Sequence, residues 1–378
     1  MAVNVCPYRA RVWNGARLVA DSTAAIRDER PEQAPVLWFP IDDVRADVVA
    51  DAAVMSEHGD GALTGYVRLD GGTLRTELLE VVDGDGQMAA TRFPNWGDAA
   101  DLIDMMDVRP IGEGHFVSVA RSDWRRPVVE ASQILGQTIV AAMRETGGRR
   151  VVTASMIFVR AADARVPLTF VLEILSNGRT FSAVRASVEQ NDRLCASGTL
   201  LLDVTAPDII RHTVAMPDVP GPDECPPLDM GVTGRDLRVV DGAYTGDPDA
   251  PVGPPVLDAW VRFRTVPDDA ALHAGVLTQF TGHMSIGAAL RAHAGVGEQQ
   301  AHVTLSTGIN AISISFHRDV RVDRWMLYHH LSTSAGDGMT HSECRVHDVE
   351  GDLLASFTVD GMVRAFSGSA TGNYRSSM

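Results

Sequence analysis

Two stretches in the first half of the chain are echoed in the second at nearly one spacing. MIFVR at 156–160 shares its Phe and Arg with ISFHR at 314–318, and RLCAS at 193–197 shares Leu, Ala and Ser with DLLAS at 352–356. Phe158 stands as far from Phe316 as Ser197 stands from Ser356, to within one residue. Two echoes at one offset mark an internal duplication, and that constrains the fold more than any single segment does.

The neighbouring segments keep a common order. In the first half DAADLIDMMDV sets Leu102, Ile103, Met105 and Met106 on a short helix. After a turn at SDWRRP, the segment SQILGQTIVAAMRE spaces Ile134, Leu135, Thr138, Ile139, Ala142 and Met143 as a helix with a broad buried face does. VVTASMIFV, LTFVLEIL, TFSAVRASVEQ and LCASGTLLLDV follow as strands, with NG and ND between them as hairpin turns. The second half repeats this: a strand (DAWVRFRTV), a helix placed at HMSIGAALRAHA, then strands at AISISFH, RWMLYHHLSTSA, MTHSECRVHDV and LLASFTVDGMVRAF. One such half would leave a sheet face bare. Two halves, each wrapping a sheet round its helix and pairing with the other, bury both faces.

The expected class is therefore α+β, with two helix-wrapped antiparallel sheets at 98–205 and 256–366. Residues 205–255 hold 10 prolines and little periodicity, so 206–255 reads as a linker crossing between the halves. Residues 1–92 are short alternating segments broken by Asn-Gly, Pro and Asp, the pattern of a small all-β domain. The last stretch, 367–378, reads as a flexible tail.

Charge and composition narrow the function. A net charge of −16 argues against nucleic acid and anionic membrane as partners. All 33 basic residues are arginines, which excludes Schiff-base chemistry and a lysine-bearing phosphate loop. Four scattered cysteines make neither a zinc ribbon nor a disulfide framework. His329 and His330 are adjacent on a strand and face opposite ways, so no metal is expected on them. HMSIG at 283–287 lacks the first Gly of a nucleophile elbow and the βαβ context that goes with it. With no long apolar run and no leader pattern, the expected location is cytoplasmic, without membrane insertion.

From about 98 to 366 the sequence resembles the acyl-CoA thioesterase II family. DLIDMMDVRPIGEGHFV, DWRRPVVEASQILGQTIVAA and SNGRTF carry the likeness in the first half. FHRDVRVDRWMLY and STSAGDGMTHSECRVHDVEGDLLASFTVDGMVR carry it in the second. The resemblance implies a double hotdog fold and an acyl-CoA or acyl-carrier-protein substrate. CoA or phosphopantetheine enters as part of that substrate, with no resident cofactor. Residues 12–50, through VWNGARLVADST and WFPIDDVRADVV, separately resemble a small bacterial β-tent domain of no known activity.

The family supplies an Asp at the start of the second helix, a Ser or Thr on the next strand and a Gln on the last strand. These positions fall here on Gly282, Ile309 and Val359. Polar residues stand one step away: His283, Asn310 and Asp360. Glu130, before the first long helix, replaces a residue that is apolar in the family. Aligning Leu135-Gly136 with Ile286-Gly287 sets Glu130 opposite Thr281. Glu130, His283, Asn310 and Asp360 are thus the candidate catalytic residues. The chemistry sought is a carboxylate or imidazole that activates water, beside donors aimed at a developing oxyanion. Glu130 and His283 are expected at the N-termini of two pseudo-symmetric helices, at opposite ends of the interface between the halves.

Three functions fit. The first is acyl-thioester processing with a relocated site, by hydrolysis, dehydration, addition or cyclisation, in lipid or secondary metabolism. The second is a silent acyl-binding or scaffold protein on the same fold. In the third, the N-terminal β domain carries the function. Assembly into a homo-oligomer is compatible with all three.

Overall fold

The computed structural model describes residues 2–365, apart from 6–8, 30–35, 50–54, 60, 71–73, 80, 83–86, 89–98, 121–127, 227, 229–234, 244–248, 265 and 302–303. The SDWRRP turn at 122–127 and the 367–378 tail lie outside the described residues. Two compact units are present, one within 1–98 and the other comprising 99–228 and 235–378.

Elements of the second unit are numbered within it. In chain order they are α1 (Ala99–Met106), β1 (Arg109–Gly112), β2 (His115–Val117), α2 (Ala131–Glu145), β3 (Arg150–Phe158), β4 (Thr169–Asn177), β5 (Phe181–Gln190) and β6 (Arg193–Asp203). Then follow β7 (Arg235–Val239), β8 (Val256–Phe263), α3 (Ala270–Phe280), α4 (Ser285–Leu290), β9 (Leu305–Phe316), β10 (Met326–Gly336), β11 (Met339–Asp348) and β12 (Leu353–Ala365). The twelve strands form one sheet in the order β1-β2-β4-β5-β6-β3-β9-β12-β11-β10-β8-β7. Every neighbouring pair is antiparallel, including β3 with β9, where Ala154 faces Ile314 and the halves join. This is a double hotdog.

Turn chemistry sets the register. Asn191 and Asp192 both have positive φ (52° and 57°), the primed-turn geometry that closes β5 onto β6. Asp337-Gly338 does the same between β10 and β11, with φ of 53° and 76°.

Helices α2 and α3 lie against each other on the inner face. Gly136 and Gly275 allow this: a Cβ on Gly136 would fall 2.6 Å from the Gly275 carbonyl oxygen and on the Met106 methyl. The helices run antiparallel, because the N-terminal Glu130 meets the end of α3 while Arg144, near the end of α2, meets Asp269 before α3. Glu130 and Asp269, Gly136 and Gly275, and Arg144 and His283 are three pairs with one common sequence spacing. They are the pseudo-twofold mates.

At the Asp269 end the contact is an ion pair. Arg144 donates to Asp269 at 2.8 Å, to the Val108 carbonyl at 2.9 Å and to Asp107. Asp269 also caps α3 by accepting from Leu272 N–H at 2.8 Å. Burial alone would raise the Asp269 carboxyl; Arg144 and the cap outweigh it and hold it below the usual carboxylate range. A depressed carboxylate stabilises the fold above its unfolded pKa of about 3.9 and loses that contribution as pH falls toward its folded pKa. Arg144→Ala is expected to destabilise by about 1 kcal/mol at neutral pH, since the pair is partly exposed. The deficit should shrink below pH 4 in urea titrations.

Two expectations are corrected. The principal second helix is α3, not 283–294; Gly282 and Met284, whose φ is 65°, break the chain before the short α4. The helices therefore align through Gly136 and Gly275, not Gly136 and Gly287. The stretch expected as a linker also contributes the edge strand β7, and Cys225 and Val240 pack on Trp260 and Leu327 over the outer face of β8 and β10.

The first unit contains a five-stranded antiparallel sheet, a three-stranded sheet and a two-stranded ribbon. Asn14-Gly15 turns the hairpin of Arg9–Asn14 with Arg17–Ser22, Gly15 at φ 59°. Ala10, Val12, Val19, Phe39 and Val67 form its core, and Arg9 donates twice to Asp21 beside it. Among the described residues no helix is long and apolar enough to cross a membrane.

Candidate active site

Glu130 is the N-cap of α2, in extended backbone (φ −67°, ψ 139°) after the β-branched pair Val128-Val129. Its side chain does not cap its own helix. Instead it accepts a hydrogen bond from the Gln279 amide, Nε2 to Oε2 at 2.7 Å. The same Nε2 lies 3.1 Å from His283 Nε2, and His283 Nε2 is 3.7 Å from Glu130 Oε2. An amide NH2 has two hydrogens, so one goes to the carboxylate and one to the imidazole. This network assigns the His283 proton to Nδ1.

The chain delivers His283 by a tight turn. Its N–H bonds to the Phe280 carbonyl at 3.0 Å, and its ring packs on Phe280 at 4.9 Å. The Glu130 and His283 side chains are 13% and 14% exposed, whereas Gln279 is fully buried. Gln279 Oε1 has no hydrogen-bond partner among the described residues. The result is a carboxylate and an imidazole, shielded yet within reach of solvent and held by one amide. The expected separation of Glu130 and His283 is thus corrected: in antiparallel helices the start of one lies beside the end of the other.

Asn310 and Asp360 take no part. Asn310 is the bulged residue of β9, between Ile309 paired with Gly361 and Ala311 paired with Asp360, and it is exposed. Asp360 accepts from His341 Nδ1 at 2.6 Å. Val359 is 1% exposed, so strand alternation turns Asp360 to the outer face of the sheet. Gly282 sits against Ser132: a Cβ there would meet the Ser132 hydroxyl, with Ser132 Cβ at 2.9 Å and Ile309 Cδ1 at 3.3 Å. Gln279 is not legible from helical periodicity, because α3 is buried on all sides. Its four-residue spacing from His283 was the available signal, since such pairs meet on a helix face.

A second polar group lies deeper. His330 Nδ1 is 3.2 Å from Ser285 Oγ and 3.4 Å from Cys344 Sγ. The three could pass for a nucleophile and its base, but burial forbids it. Desolvation drives His330 down to about 3, helped by His329 and His283, and drives the Cys344 thiol up to about 12. Both stay neutral, and the thiolate is absent at any working pH. A buried histidine with a depressed pKa costs stability on acidification, because only the unfolded chain takes the proton below its pKa of about 6.5. His330→Leu is expected to flatten the fall in thermal midpoint between about pH 6.5 and 3 relative to the native chain. Among the described residues no three His, Cys, Asp or Glu side chains are grouped to hold a metal ion.

An antiparallel double hotdog with a carboxylate at its crossing helices is the frame of a thioester-processing enzyme. The acyl-CoA thioesterase N-terminal domain matches residues 120–202 and the acyl-CoA thioesterase C-terminal domain matches 214–363. The two together span more than half of the chain, which belongs to the acyl-CoA thioesterase family. Human acyl-coenzyme A thioesterase 8 is 24% identical over 319 residues, 74% of this chain and 94% of its own. The rat protein of that name is 26% identical over 269 residues, 62% of this chain and 79% of its own. Among solved structures, the acyl-CoA thioesterase II of Mycobacterium marinum superposes with a TM-score of 0.59 at 24% identity, covering 71% of this chain and 99% of its own. A tesB protein of Mycobacterium avium subspecies paratuberculosis gives 0.60 at 21%, covering 70% and 99%. These structural likenesses establish the fold. Acyl-thioester processing follows from the family.

Proposed function

We propose that the chain hydrolyses acyl thioesters at the Glu130 end of the helix pair, with Glu130 as general base. The observation that carries this is the Gln279 hydrogen bond to Glu130 at 2.7 Å, which orients a carboxylate that is shielded yet still 13% exposed to solvent. Glu130 takes a proton from that water as its oxygen attacks the thioester carbon. The first-turn N–H groups of α2 lack intrahelical acceptors and are not capped by Glu130, so they suit the developing oxyanion. On collapse the carbon–sulfur bond breaks, and the thiolate takes the proton held by Glu130. His283, 3.1 Å from the same amide nitrogen, supports the amide that orients the base. The substrate is an acyl group carried on CoA or on the phosphopantetheine of a carrier protein.

A second reading is favoured by Gly282, where Ser132 fills the place that the resemblance gives to an acid. A paired carboxylate and imidazole also suit proton removal and return beside a carbonyl, as in dehydration or addition across a double bond. One assay separates these. Saturated, 3-hydroxy and 2-enoyl CoA thioesters of graded length are followed for thiol release and for the enoyl chromophore. Thiol release supports hydrolysis. Enoyl change without thiol release supports the second reading, and saturable binding with neither supports a silent acyl-binding protein.

A further inference from the structure

A cavity of the second unit lies away from Glu130. It is a cleft of about 340 Å³ at the opposite, pseudo-equivalent end of the helix pair, beside Asp269 at the start of α3. That volume lies within the roughly 300–1,000 Å³ of small-ligand sites. Met143, Val151, Ala274, Phe316 and Val320 give it an apolar floor, and each is buried.

One polar group faces this floor. His273 is 7% exposed and lines the cleft; its Nδ1 accepts from the Val322 N–H at 3.3 Å. The ring hydrogen is therefore on Nε2, for which no partner stands among the described residues. Nε2–H is a fixed donor suited to a carbonyl oxygen. The rim arginines do not make the cleft cationic. Arg150 pairs with Asp203, Arg318 with Asp352 and Arg321 with Asp323, while Asp268 and Asp319 also line the mouth. A carboxylate or phosphate head is thus disfavoured, and a neutral carbonyl head above an apolar tail fits.

We infer that this cleft is a second, non-catalytic binding site for the acyl–pantetheine part of a thioester, with the carbonyl on His273 Nε2–H and the acyl chain along the apolar floor. It lacks a base. Asp269, the mate of Glu130, is clamped by Arg144 and by its cap, and the mate of Gln279 is Val140. The ligand class rests on the acyl-thioester reading; occupancy of the cleft does not depend on turnover.

The test is calorimetric titration of the full chain with 2-oxododecyl-pantetheine, in which a methylene between carbonyl and sulfur prevents hydrolysis. Two sites per chain are expected. Ala270→Trp, at an exposed position lining the cleft, should remove one of them. His273→Leu should weaken that site about tenfold, the worth of one hydrogen bond of about 1.4 kcal/mol, and His273→Gln, which restores a donor, should recover it. Binding that is absent, or a single site untouched by Ala270→Trp, overturns the inference. Decanoate binding the cleft as tightly as the ketone overturns the neutral-head assignment. If thiol release fails but an Ala270→Trp-sensitive site persists, the cleft stands and the hydrolytic reading falls.

Discussion

Glu130→Gln is expected to lower turnover on the true substrate by about 100-fold or more, the usual worth of a general base. The substitution keeps shape and the capacity to accept from Gln279, and removes the charge that draws a proton from water. Its fold should be intact by melting, since the carboxylate contributes no cap to α2. His283→Ala is the competing variant. It leaves the Gln279–Glu130 bond in place but frees the second amide hydrogen, so the loss should be smaller, and the pH profile should shift because a titratable neighbour at 3.7 Å is gone. If both variants retain full activity, the site is elsewhere on the fold. If His283→Ala is the more damaging, imidazole is the base and Glu130 its support.

Gly282→Asp, which rebuilds the acid that the resemblance places there, is expected to fail on its own. The new Cβ would press on the Ser132 side chain, whose Cβ would lie 2.9 Å away, and Ile309 closes another side. Overpacking a buried contact costs about 1–3 kcal/mol, and a carboxylate forced in without designed partners adds to that. Turnover should not rise, and the thermal midpoint should fall. Removing the obstruction reverses the sign: Ser132→Gly with Gly282→Asp should regain most of the lost stability. Should the single variant melt at the native temperature, the packing argument is wrong. Should the double variant alone gain activity, Gly282 and Ser132 are a matched pair that closes one site while Glu130 serves another.

The duplicated order, nine of the twelve strands and the hairpin turns were legible because each is local: alternation along a strand, or residues that tolerate positive φ. Glu130 and His283 were legible as polar residues beside helical segments. Their meeting was not, since it depends on which two helices cross. That crossing is set by Gly136 against Gly275, and α3 concealed itself because Ala271–Phe280 are buried all round. A helix without a wet side has no period to detect. Asn310 and Asp360 were misjudged for another reason. One bulged residue in β9 and one step along β12 decide the face, and spacing alone does not locate a bulge.

A sheet of twelve strands that does not close must end somewhere, and both ends here resist recruiting another chain. β1 is four exposed residues with Pro110, whose nitrogen has no hydrogen to offer, and its pairing with β2 is irregular between Pro110 and Gly112. β7 is five residues, of which Arg235, Asp236 and Arg238 are charged. Short, proline-bearing or charged borders are poor templates for strand addition. Any self-assembly of this protein is therefore expected to proceed face to face, through side chains, and not by extending the backbone ladder from one molecule to the next.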